Sequence, residues 1–83
     1  MNKFEMMLRY DLTSTEYKLW ACLLEFSEKV NGENLVYLIG DIRKEFCKTY
    51  GFNPSSVSNY LLRIERKGLI QRQKQIINVI IPN

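Results

Sequence analysis

Residues 51–70 read "GFNPSSVSNYLLRIERKGLI", and the parsing of that stretch decides the fold. Asn53 is a favoured helix N-cap, and Pro54 falls where the first helical residue belongs. Val57, Tyr60, Leu61 and Ile64 follow at i, i+3, i+4 and i+7, the spacing of one buried helical stripe. The pattern predicts a helix from Pro54 to about Lys67, stopped by Gly68. Gly51, free to take the left-handed conformation, ends the helix before it. With the stripe inward, a step of about 100° per residue turns Ser55, Asn59, Leu62 and Arg66 outward and sets Ser58 and Arg63 on the flanks.

Upstream, Asp41 is placed to cap a helix carrying Ile42, Phe46, Cys47 and Tyr50 inward. Before it, "LVYLI" at 35–39 is a β-branched and aromatic run, long enough for one short strand or an extended connection. Thr13 opens an earlier helix with Glu16 three residues on, a capping-box pair, and Tyr17, Trp20, Ala21 and Leu24 make its expected buried stripe. That helix is expected to fade near "SEKVNGEN" at 27–34, where Asn31-Gly32 is a stop and turn signal. Residues 1–11 show apolar Phe4, Met7 and Leu8 without a clean start signal and are read as an N-terminal arm, packed on the domain or on a second copy. Downstream, "LIQRQ" and "IINVII" are two strands around a tight polar connection at Gln73–Gln75. The expected architecture is α+β and mainly helical: one domain over 1–83, three helices, a short strand at 35–39 and a C-terminal hairpin over 69–81.

Two helices joined by a short glycine-containing turn match the helix-turn-helix pattern, here over 41–68. The segment "EFCKTYGFNPSSVSNYLLRIERKGLIQR", 45–72, resembles the winged helix-turn-helix family of DNA-binding domains, of the small prokaryotic, plasmid or phage regulator type. Cys47 stands where the family has a small residue that lets the recognition helix approach. Gly51, Phe52 and Asn53 match its turn and cap, Ser56-Val57-Ser58 its Ser/Thr-Val-Ser run, and Ile64-Glu65-Arg66-Lys67-Gly68-Leu69-Ile70 its helix ending. The entry "LTSTEYKLW" is similar to the family's first helix, so weaker similarity extends over about residues 12–81. The resemblance implies that the helix over 54–67 lies in the DNA major groove and that the terminal hairpin forms a wing.

The residues agree with that chemistry. Short Ser55, Ser56 and Ser58 side chains let the backbone approach a groove, and Ser and Asn bond phosphates or base edges, Asn59 being able to pair with adenine through two bonds. Arg63 reaches phosphate or a guanine edge. Arg66 lies further along the same helix, and Arg72 and Lys74 in the hairpin can follow the backbone or enter the minor groove. Each has a plainer role as well: serines are ordinary first-turn residues, and Arg66 and Lys67 complement a helix dipole in any protein. Trp20, Tyr17 and Tyr60 sit within helical stripes and read as core. Leu62, outward on the presumed recognition face, fits a thymine methyl or a protein partner. The connection "RQKQ" lacks the Asn-Gly of a long hairpin, which keeps the wing short.

Charge favours a polyanionic partner. Residues 1–40 carry a net −2 and residues 41–83 a net +5, with an overall pI of about 9.0. The two cysteines, Cys22 and Cys47, fall among apolar residues and read as small buried hydrophobes of an intracellular chain. With no histidine and two separated cysteines, neither a zinc site nor a nucleophile–base pair is expected, so the reading is of no enzyme, no metal and no cofactor. Asp41 and Glu45, beside Arg43, Lys44 and Lys48, read as surface ion pairs. No apolar run approaches the roughly 20 residues of a membrane span, so a soluble, cytoplasmic protein is expected.

Three functions follow from these residues. The first is sequence-specific binding of double-stranded DNA, most simply by a small transcriptional repressor working as a homodimer on a two-part site. The second is a plasmid- or phage-type protein that binds a replication origin by the same means. The third is a winged helix that binds protein through the face containing Leu62.

Overall fold

The computed structural model describes residues 1–82. Helices α1 (Lys3–Tyr10), α2 (Ser14–Phe26), α3 (Gly40–Tyr50) and α4 (Pro54–Arg66) combine with strands β1 (Glu28–Val30), β2 (Glu33–Tyr37), β3 (Ile70–Gln73) and β4 (Ile76–Val79). The strands form one antiparallel sheet in the order β1-β2-β4-β3. The fold is α+β and mostly helical, as expected, but it has one more helix and a larger sheet than the sequence indicated.

The extra helix is α1. Asn2 caps it, its Oδ1 accepting from the Glu5 N–H at 2.9 Å while Glu5 Oε1 accepts from Asn2 Nδ2 at 2.9 Å. Residues 1–11, expected as an arm without a clean start signal, contain this helix, which buries Met6 against the domain and ends at Asp11 in the left-handed region (φ 53°).

Helix α2 begins with the expected capping box, Thr13 N–H to Glu16 Oε1 at 2.8 Å and Glu16 N–H to Thr13 Oγ1 at 3.1 Å. Its buried face is rotated from the expected one: Glu16, Leu19, Trp20 and Leu23 are buried, while Tyr17, Ala21 and Leu24 are half-buried. Apolar residues occupy most of this helix, so periodicity alone left its phase open by one residue.

The helix ends at Phe26, directly before residues 27–34, and Asn31-Gly32 is a turn as expected, though not of the helix end. It joins β1 to β2, with Val30 opposite Glu33. Both residues have positive φ (52° and 81°), the two-residue type I′ hairpin that Asn-Gly favours. The strand expected at 35–39 thus lies at 33–37 and bonds to β4, with Tyr37 opposite Ile76 and Asn34 opposite Val79.

In α3 the N-cap is Ile39, with no side-chain bond, so Asp41 is a first-turn residue and not the cap. Phe46 and Cys47 are buried as expected and Tyr50 is half-buried, but Ile42 is 41% exposed. Gly51 (φ 76°) closes the helix, the Phe52 N–H bonding back to the Cys47 carbonyl at 2.9 Å. Gly51, Phe52 and Asn53 then turn the chain into α4, whose Val57, Leu61 and Ile64 are buried.

The core gathers around Phe46, whose ring packs edge-on against Phe26 (5.3 Å between centroids) and stacks on Phe52 (5.8 Å). Leu19, Leu23, Val57, Ile64 and Leu69 are fully enclosed around it. Beyond the β3–β4 hairpin, the Trp20 indole N–H donates to the Ile80 carbonyl at 2.9 Å, fastening the chain end to α2. Both cysteines are free thiols, Cys47 buried and Cys22 half-buried. Among the described residues no helix is long and apolar enough to cross a membrane.

Candidate nucleic-acid interface

Helix α4 is built to show one face. Asn53 holds its start, Oδ1 accepting from the Ser55 N–H at 3.0 Å and from Ser55 Oγ at 2.8 Å. Its apolar stripe fixes its rotation, which leaves Ser55, Ser58, Asn59, Leu62, Arg63 and Arg66 exposed and Ser56 half-buried. Arg72 and Lys74 are exposed in the hairpin. Lys74 takes a positive φ of 58° in the two-residue turn between Gln73 and Ile76.

At about 100° per residue, the exposed surface of α4 divides into two flanks. Ser56, Asn59, Arg63 and Arg66 lie on one, and Ser58, Leu62 and Glu65 on the other. The first flank is cationic and free of carboxylates. Its Arg63 guanidinium lies over the Tyr60 ring at 5.8 Å from the centroid, which orients a long side chain without neutralising it. Asn59, Arg66 and Lys74 make no side-chain hydrogen bond or salt bridge among the described residues.

The second flank is tied down. Arg43 of α3 donates from Nη2 to Ser58 Oγ at 2.7 Å and to the Pro54 carbonyl at 3.2 Å. Arg72 donates to Glu65 Oε1 from Nη2 at 2.8 Å and from Nε at 3.1 Å. The hydrogen bond from Arg72 holds the Glu65 carboxyl below its ordinary value, against a smaller opposing effect of burial. Three of the expected contact residues, Ser55, Ser58 and Arg72, already have side-chain partners within the fold. Arg43 is the residue that sequence reasoning misplaced. The ion pairs expected of Asp41 and Glu45 are absent among the described residues, whose two salt bridges are Lys67–Glu16 and Arg72–Glu65.

Lys67 turns away from the exposed face. Its Nζ donates to Glu16 Oε1 at 3.1 Å and to the Asp11 carbonyl. Burial pushes the Glu16 carboxyl up, but the Thr13 N–H and the hydrogen bond and charge of Lys67 outweigh it, so the carboxyl titrates below its ordinary value. Beside this link, Asp11, Leu12, Thr13, Arg63 and Arg66 help line a hollow of about 450 Å³.

The site offers hydrogen-bond donors and positive charge on the exposed face of α4. Among the described residues no three His, Cys, Asp or Glu side chains come together to hold a metal ion. Compared with known protein families, with curated proteins and with solved structures, the chain finds no match in any of the three.

Proposed function

We propose that this chain is a winged helix-turn-helix protein that binds specific double-stranded DNA, most simply as a small transcriptional repressor, with α4 in the major groove and the β3–β4 hairpin as a short wing. One observation carries the reading: Ser56, Asn59, Arg63 and Arg66 share a flank of α4 that holds no carboxylate and that the apolar stripe turns away from the core. A major groove admits a helix, Asn59 suits an adenine edge, and Arg63 suits guanine or phosphate. Arg66 and Lys74 add attraction to the backbone. The three-residue turn from α3 and the short hairpin after α4 support the family reading by their order along the chain. A replication-origin binder would use the same contacts.

Fluorescence anisotropy with labelled duplexes tests the proposal, comparing DNA from upstream of the protein's own coding sequence with scrambled DNA across a salt series. Tight, selective binding that weakens steeply with salt is expected, with Arg63→Ala costing about 1–3 kcal/mol. Weak binding indifferent to sequence would sink it, since phosphate attraction alone gives that result. Leu62, 38% exposed on the other flank, favours a second reading in which this face docks a protein. A duplex affinity unaffected by Arg63→Ala, together with a partner lost on Leu62→Ala, would replace the first reading by the second.

A further inference from the structure

Two exposed serines of α4, Ser55 and Ser58, have had their hydroxyl hydrogens assigned by the fold, and in opposite senses. The Ser55 N–H bonds to Asn53 Oδ1 at 3.0 Å, which fixes the orientation of the Asn53 amide, since only its oxygen accepts from an N–H. Ser55 Oγ lies 2.8 Å from the same oxygen. An amide oxygen cannot donate, so the Ser55 hydroxyl does, and its hydrogen is spent inside the helix cap. At Ser58 the partner is Arg43 Nη2, 2.7 Å from Oγ. A guanidinium only donates, so Ser58 accepts and its own hydrogen stays available.

We infer that Ser55 meets DNA as an acceptor only and reads the amino group of an adenine or cytosine, with Asn53 as the positioning residue that sets its polarity. A free serine suits either kind of base edge, so by itself it carries little sequence information. Ser55 is not free. With its hydrogen committed it offers lone pairs, which repel phosphate oxygens and the O6, O4 and N7 acceptors of the bases. The partner left to it in the major groove is adenine N6 or cytosine N4. Every base pair shows one such amino group there, so Ser55 reports which strand bears it.

Ser58 supplies the contrast. As a donor it suits phosphate, thymine O4 or a purine N7, the range that a serine on a recognition helix ordinarily covers. The two residues are of one type and three positions apart, and only their bonds to Asn53 and Arg43 distinguish them. The assignment of Ser55 rests on the proposed binding of DNA by α4 and sharpens it, because it moves Ser55 from backbone attraction to base readout.

The test is selection of bound sequences from randomised duplexes by wild type, Ser55→Ala and Asn53→Gly, with circular dichroism to verify folding. Glycine is a tolerated N-cap, and Asn53→Gly keeps Ser55 while freeing its hydroxyl. Wild type should show one position where adenine or cytosine, on one strand, is favoured about fivefold over guanine or thymine, as one hydrogen bond allows. Ser55→Ala should flatten that position and spare the others. Asn53→Gly should admit guanine and thymine there, with the preferences elsewhere kept. A wild-type preference for guanine or thymine at the position that Ser55→Ala flattens would overturn the inference. So would a Ser55→Ala variant that changes no position, or an Asn53→Gly variant with the wild-type profile. A wild type that selects no sequence at all removes the DNA reading and this inference together, whereas a selective wild type with any of the three contrary results removes the inference alone.

Discussion

The two salt bridges make a controlled comparison, for each joins one glutamate to one base and each ends on or beside α4. At the α2–α4 seam the Glu16 side chain is 3% exposed and its partner Lys67 28%. At the α4–β3 rim the Glu65 and Arg72 side chains are 31% and 32% exposed. Water screens the rim pair, so its attraction offsets little more than the entropy of holding two side chains. The seam pair is screened less, because its Glu16 end is buried, and Glu16 also accepts the Thr13 N–H, so that one carboxylate closes the α2 cap and anchors α4. Position and not chemistry separates a structural link from a surface one.

The strongest way to break that contrast is Lys67→Met, which leaves Glu16 buried beside an apolar side chain. Chemical denaturation should show a loss of about 2 kcal/mol, since an unpaired buried charge costs more than the pair gains. Stability unchanged by Lys67→Met would place the seam pair in the same class as the rim pair.

Acid should reveal the same link. Because the folded Glu16 carboxyl lies below its ordinary value of 4.5, its contribution is complete above that value and is lost as pH falls through the folded one. In Lys67→Met, burial is less opposed, and the acid limb of a denaturation series should move to higher pH. An identical acid limb in both proteins would contradict the assignment. Thr13→Ala, which removes the hydroxyl half of the capping box, should cost about 1 kcal/mol in the same assay.

Glu65→Gln is expected to be the mildest, with stability changed by about 0.5 kcal/mol or less. Its interest lies in binding. With Arg72 released towards phosphate, the slope of log affinity against log salt should steepen by about one contact. If the slope holds and stability drops sharply, the rim pair is structural after all.

Local signals carried the middle of the chain. Thr13 with Glu16, Asn53 with Pro54, Gly51 and the Val57–Ile64 stripe each encode a cap, a stop or a face within a few residues, and each element stands where those residues put it. The Asn2–Glu5 cap and the Asn31-Gly32 hairpin turn were equally local. The first was read within an arm, and the second was read as a turn but placed at the helix end, because the short flanking runs offered little periodicity to reveal α1 or β1. The bonds of Lys67 to Glu16 and Arg43 to Ser58 are another matter. They join residues 51 and 15 positions apart, and no spacing rule reaches across such a separation. The exposed flank of α4 was legible from one helix; which of its residues are already engaged was not.

Trp20 is the only tryptophan of the chain, and its indole ends on the Ile80 carbonyl, just past the hairpin. The domain therefore contains its own optical gauge. Any event that pulls the last strand from α2, whether fraying, ligand-induced bending of the hairpin or a destabilising substitution, exposes that ring and removes its hydrogen-bond acceptor. Emission would shift to the red before the helices melt. No label need be attached to follow the hairpin, and every other aromatic ring can stay as it is.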